Sequence, residues 1–119
     1  MAGRSKKIPF ANWESTKPDG IENRYIRLAN TQMISVAMRS LSNSAYRIYV
    51  NMKLESKGNV QFEFPFSKYK SYMTRPTFEK GVNELVEKGF IDVVQRNANL
   101  RKPNVYRFSD KWKLYIPLL

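Results

Sequence analysis

The chain has no cysteine and no histidine among its 119 residues. Without cysteine there is no disulfide framework and no thiolate metal site. Without histidine the commonest general base, the commonest transition-metal ligand and every Ser-His or Cys-His arrangement drop out. Acids are few as well, 10 against 21 lysines and arginines. Glu63, Glu79, Glu84, Glu87 and Asp92 are scattered without a metal-binding spacing. No apolar run approaches the roughly 20 residues that cross a bilayer. The opening MAGRSKKIPFANWESTKPDG is basic but lacks the apolar stretch of a secretory signal. These absences predict a cytoplasmic, non-enzymatic protein with no cofactor, no metal and no membrane partner.

What is present is positive charge. The formal net charge is +11 and the pI about 10.0. Such an excess keeps a protein soluble and draws it towards polyanions, of which nucleic acid is the commonest. Anionic membrane surface and acidic protein are the other polyanions, and a merely basic surface is the plain alternative. With 42% hydrophobic residues, the length suits one domain with a real core.

Along the chain, residues 1–24 read as a basic amino-terminal arm. Arg4, Lys6 and Lys7 lie near its start, followed by Phe10, Trp13 and the turn-forming KPDG. NRYIRLAN is short and β-like. TQMISVAMRSL places Met33, Ile34, Ala37, Met38 and Leu41 at the spacing of a short helix. In LSNSAYRIYVNMKLESKG, Ser42 is a good N-cap, and Ala45, Ile48, Tyr49 and Met52 form an apolar stripe that ends near Gly58. VQFEF alternates as a half-buried strand does, and Pro65 stops it. PFSKYKSYM predicts a short helix capped by Ser67, with Tyr69, Tyr72 and Met73 inward.

TRPTFEKGVNELVEKGFIDV, from Thr74 to Val93, predicts a longer helix running into a strand. Thr74 caps it, and Pro76 sits in the first turn, where a missing N–H costs nothing. Phe78, Val82, Leu85 and Val86 form its buried stripe, and Gly89 suits a left-handed end. Gly81 costs about 1 kcal/mol against alanine inside a helix, so close approach of another helix is expected there. FIDVVQR and VYRFSD then form a hairpin around the tip NANLRKPN. Residues 114–119 make an apolar tail.

A short helix and a longer helix joined by a tight turn, followed by a basic-tipped hairpin, are the parts of a winged helix-turn-helix. TRPTFEKGVNELVEKGFI resembles the recognition-helix segment of bacterial winged helix-turn-helix proteins. The matching positions are Thr74, Thr77, Phe78, Val82, Leu85, Gly89, Phe90 and Ile91. The run from LSNSAYRIYVNMK through FSKYKSYM to NVYRFSDKW is similar to small winged-helix proteins encoded by bacterial mobile elements, both replication-type and regulatory. The likeness spans roughly residues 25–113. It implies an α+β fold with a three-helix core and a β-hairpin wing. It also implies double-stranded DNA as partner, with the helix over 75–88 in the major groove and the wing on the backbone or minor groove.

The outward residues fit that expectation on their own chemistry. A step of 100° per residue turns Pro76, Lys80, Asn83, Glu84 and Glu87 outward, with Thr77 at the border. Helix-turn-helix proteins present the amino-terminal part of this helix to base edges. Arg75, Thr77, Lys80 and Asn83 are therefore the candidate base-reading residues, arginine and lysine suiting guanine and asparagine suiting adenine. Lys68 and Lys70 before the helix, and Arg96, Arg101 and Lys102 at the wing, are the candidate backbone contacts. The charge order runs against the helix dipole, which favours acids at the amino end. Pairing of Glu84 with Lys88 or Lys80 on a plain solvated face is the competing account.

Two classes of function remain. The first is a duplex-DNA-binding protein in transcriptional regulation or mobile-element replication. The second is a winged-helix protein–protein interaction module, which would expose an apolar patch from Trp112, Leu114, Tyr115, Ile116, Leu118 and Leu119. A protein partner or a homodimer through the arm or the tail is compatible with either.

Overall fold

The computed structural model describes residues 25–97 and 102–117. The expectations for the arm, for Arg101, and for Leu118 and Leu119 lie outside the described residues. Four α-helices, α1 (Asn30–Met33), α2 (Val36–Arg39), α3 (Asn43–Ser56) and α4 (Arg75–Glu87), accompany three strands, β1 (Gln61–Glu63), β2 (Ile91–Gln95) and β3 (Val105–Phe108). The strands form one antiparallel sheet in the order β1-β3-β2. The fold is α+β, and no helix among the described residues is long and apolar enough to cross a membrane.

The two long helices cross at a point the sequence marks. α3 starts at Ser42, whose hydroxyl accepts from the Ala45 N–H at 3.2 Å, and ends where Lys57 and Gly58 turn left-handed. α4 starts at Thr74, whose hydroxyl oxygen accepts from the Thr77 N–H at 3.4 Å. Its end closes with two bonds. The Phe90 N–H reaches the Leu85 carbonyl at 2.9 Å, and the Gly89 N–H reaches that of Val86 at 3.2 Å, with Gly89 at φ +87. This pair of bonds across a left-handed glycine satisfies carbonyls that a helix end otherwise leaves open. Between the helices, a Cβ on Gly81 would collide with Ile48 Cδ1 and stand 3.5 Å from the Ala45 Cα. The glycine is there because α3 passes that close.

The core lies between these helices and one sheet face. Tyr49, Phe90, Ile48, Met52, Leu85 and Ile91 are its largest fully buried side chains. Phe62 and Tyr106 face each other across β1 and β3, and Val93 pairs with Tyr106 from β2. Tyr69 stacks flat on Phe78, ring centres 3.8 Å apart, with Phe64 behind both.

Three local expectations are corrected. Residues 25–29 join no ladder, so the β-like NRYIRLAN is not a strand in its described part. TQMISVAMRSL is two helices rather than one, because Ser35 serves both. Its hydroxyl donates to the Gln32 carbonyl at 2.6 Å and accepts from the Met38 N–H at 3.1 Å, ending α1 and capping α2. PFSKYKSYM forms only a 3₁₀ turn at Phe66–Lys68, entered from Pro65 rather than capped by Ser67. A segment this short has too few internal bonds to offset helix nucleation. The turn still brings Tyr69 into the core and half-buries Tyr72 and Met73. The three-helix core expected from sequence is therefore α3, α4 and a 3₁₀ turn, preceded by two one-turn helices.

Two aromatic residues near the end of the described chain are tied to the core. The backbone N–H of Trp112 donates to the Gly89 carbonyl at 3.0 Å, and the Trp112 ring lies parallel to that of Phe90. Tyr115 packs on the core as well.

Candidate nucleic-acid interface

The outward surface of α4 follows from its burial. Phe78, Gly81, Val82 and Leu85 face the core, so Arg75, Pro76, Glu79, Lys80, Asn83 and Glu87 are exposed. Lys80 and Asn83 make no side-chain hydrogen bond or ion pair among the described residues, and their donors are free. Arg75 swings clear of the core, and its guanidinium lies 4.8 Å from the centre of the Phe66 ring. Thr77 is half-buried, and its hydroxyl accepts from that of Thr74 at 2.9 Å. The cap thus takes one of its oxygen's acceptor positions, which leaves Thr77 a smaller share in any outward contact.

The residues flanking α4 differ in availability. Lys68 is exposed but pairs with Glu55 at 3.3 Å, whereas Lys70 is exposed and unpaired among the described residues. Arg96 and Lys102 are exposed where the described parts of the hairpin approach its tip. Asn97 is not a tip residue open to solvent. It is buried, its N–H donates to Asn104 Oδ1 at 2.8 Å, and its Nδ2 donates to the Pro103 carbonyl at 2.9 Å. These two bonds fasten the hairpin just beyond the bulge between Val93 and Gln95, and so fix where Arg96 and Lys102 stand.

Several further cations are engaged elsewhere. Lys53 lies 4.4 Å from the Phe108 ring centre, and burial lowers the pKa of its ammonium. Arg47 lies 4.4 Å over Tyr72. Lys111 pairs with Asp92 at 3.0 Å.

The sequence left the acids of α4 only partly explained, and the structure resolves one of them. Glu84 Oε2 accepts from the backbone N–H of Ser42 at 2.7 Å and pairs with Lys88 at 3.5 Å. Lys88 in turn donates to the Ser40 carbonyl at 2.7 Å. Glu84 thus sits at the positive amino end of α3, and Lys88 at the negative carboxyl end of α2. Burial disfavours the carboxylate, but the Ser42 hydrogen bonds and the Lys88 charge outweigh it, so the Glu84 pKa falls below its usual value. The Glu84–Lys88 pair is present as the sequence suggested. Lys80 pairs with no acid among the described residues.

The signal for this contact was a missing residue. A Ser N-cap often has a glutamate three positions on that reaches back to the cap's own N–H. Here that position is Ala45, so the acceptor had to come from elsewhere in the fold.

Glu79 was passed over by the sequence reasoning. It is exposed on the amino-terminal half of α4, among the candidate readers, and pairs with no cation among the described residues. Burial raises the pKa of both Tyr69 and Tyr106, and the charge of Glu79 adds to each shift, while Arg75 opposes it at Tyr69.

Among the described residues no group of three potential ligands could hold a metal ion. The apolar tail residues divide. Trp112 and Tyr115 pack inward, while Leu114 and Ile116 are 84% and 82% exposed. Compared with protein-family models, with curated proteins and with solved structures, the chain shows no significant match to any.

Proposed function

We propose that this protein is a non-enzymatic, cytoplasmic binder of duplex DNA with a winged helix-turn-helix architecture, acting in transcriptional regulation or mobile-element replication. α4 enters the major groove, and the β2–β3 hairpin is the wing. One observation carries the reading. One face of α4 is exposed and offers the uncommitted donors of Lys80 and Asn83, and Lys70, Arg96 and Lys102 are exposed on the segments that precede and follow the helix. A net charge of +11 supports it, as does the order of helix, strand, turn, helix and hairpin with the last strand between the other two.

A mobility-shift titration on random duplex at several salt concentrations tests this. Each phosphate neutralised releases counterions, so a protein with many contacts loses about 10³–10⁵ in affinity between about 50 and 200 mM salt. Steep salt dependence is the expected result. No binding at the lower salt overturns the proposal. The exposed Leu114 and Ile116 favour the second reading, a protein-docking module, which takes over in that case.

A further inference from the structure

A helix inserted among phosphates gains from every cation it carries and loses from every acid. Glu79 is such an acid, exposed and without an ion-pair partner among the described residues. Arg75 stands four residues before it, at the spacing where an arginine and a glutamate on one helix ordinarily meet. The guanidinium instead lies over Phe66, an aromatic ring left 43% exposed at the start of the 3₁₀ turn. Phe66 also meets Tyr69 edge-on, at 5.2 Å between ring centres, which fixes its plane. The cation is thus held on an aromatic face and makes no ion pair with the carboxylate.

The result is an exposed acceptor, unpaired among the described residues, on the same helix as the donors of Lys80 and Asn83. In the major groove, cytosine presents only an exocyclic amino donor, and a carboxylate is its natural complement, whereas guanine presents two acceptors that a carboxylate repels. We propose that Glu79 is a specificity-determining residue that accepts a hydrogen bond from the exocyclic amino group of a cytosine, and that Phe66 is a positioning residue that keeps Arg75 from neutralising it. The inference rests on the groove-inserted reading of α4 and adds a base class to it. Glu79 rejects guanine at its position and accepts a general loss of affinity in return. Asn83, one turn further along the helix, addresses the neighbouring part of the site.

The test is enrichment of bound sites from random duplex with the wild-type chain, Glu79→Gln, Glu79→Ala and Phe66→Leu, with binding to random duplex measured alongside. The wild-type site should show a cytosine at one position, preferred about 5- to 150-fold over other bases, as a good side-chain–base pair allows. Glu79→Gln should move that preference to adenine, because a glutamine amide pairs with adenine. Glu79→Ala should abolish it, and both variants should bind random duplex more tightly. Phe66→Leu should weaken the cytosine preference while Glu79 is still present, a change that lost packing alone would not produce. Both side chains are exposed, so melting near the wild-type temperature should accompany these changes. If the Glu79 variants tighten all sequences alike and no position changes its base, Glu79 is only a surface acid and the inference fails while DNA binding stands. If the wild-type chain binds no duplex, the parent reading fails and takes this one with it.

Discussion

Glu84, on α4, accepts a hydrogen bond at 2.7 Å from the backbone N–H of Ser42, the N-cap of α3 and 42 residues earlier in the chain. A carboxylate from one helix thus completes the cap of another, and the two helices lock in register where they cross.

Replacing Glu84 tests that lock. Glu84→Ala should cost about 0.5–1.5 kcal/mol, the net range for a hydrogen bond whose donor can turn to water, and Glu84→Gln should cost less. The pH dependence has a definite sign. The folded pKa lies below the unfolded one, so the stabilisation is present above the unfolded value and is lost as pH falls through the folded value. Melting followed from pH 7 down to about 3 should therefore show a component of acid destabilisation that Glu84→Gln lacks. Parallel curves for the two proteins would mean the carboxylate contributes nothing.

Gly81 offers a test by double-mutant cycle. Gly81→Ala gains about 1 kcal/mol in helix propensity but forces the new methyl against Ile48 Cδ1, and overpacking of a core typically costs about 1–3 kcal/mol. Ile48→Val removes that atom. Gly81→Ala should be neutral to destabilising in the wild type and distinctly more favourable in Ile48→Val, with a coupling above about 0.5 kcal/mol. Additive behaviour in chemical denaturation would argue against the close crossing.

Leu85 is fully buried at the centre of the α4 stripe. Leu85→Ala should destabilise by about 2–5 kcal/mol, read as a fall in denaturation midpoint at unchanged slope. Near-native melting would show that this side of α4 is not packed.

Reading and holding should separate on DNA. Asn83→Ala should weaken a preferred site by about 1–3 kcal/mol and leave random duplex nearly unchanged. Replacing Arg101 and Lys102 should weaken all sequences together and flatten the salt slope by roughly one unit per lost contact. Glu87→Gln, at the far end of the helix, should alter preference little. The reverse pattern would mean that helix and hairpin exchange roles.

Much of the fold could be read from local chemistry. Ser42 and Thr74 mark helix starts because their hydroxyls satisfy amide donors nearby in sequence. Gly89 marks an end because its backbone turns left-handed, and the interior Gly81 signals a close crossing. The break at Ser35 was not legible, because an unbroken apolar spacing runs through it and only the two bonds of its hydroxyl reveal the stop. Phe66 gave a similar difficulty. Its exposure beside Arg75 depends on how the chain turns after Pro65, which no periodicity encodes. For the candidate site, the outward positions of Lys80 and Asn83 follow from the helical repeat, whereas Arg75 lies nearly on the buried side by angle and is exposed because its long side chain swings over Phe66. Asn97 looked like tip chemistry, and its burial depends on Pro103 and Asn104 across the hairpin. Glu79 was missed because counting charges by helix end hides an acid in the middle.

The order of strands in the sheet bears on how the chain comes to be folded. β3 lies between β1 and β2, which do not pair with each other. A chain growing from its amino end therefore holds two strands with no ladder to join until residues 105–108 have been made. β1 must wait across more than forty residues for its partner, since Phe62 pairs with Tyr106. Helical contacts such as those of α3 with α4 close earlier, at the shorter separation from Ala45 to Gly81. Non-local pairing slows folding, because the loop must be ordered before its contacts repay the entropy. The topology therefore favours early closure of the helical pair, with the ladders of the sheet dependent on the arrival of its middle strand.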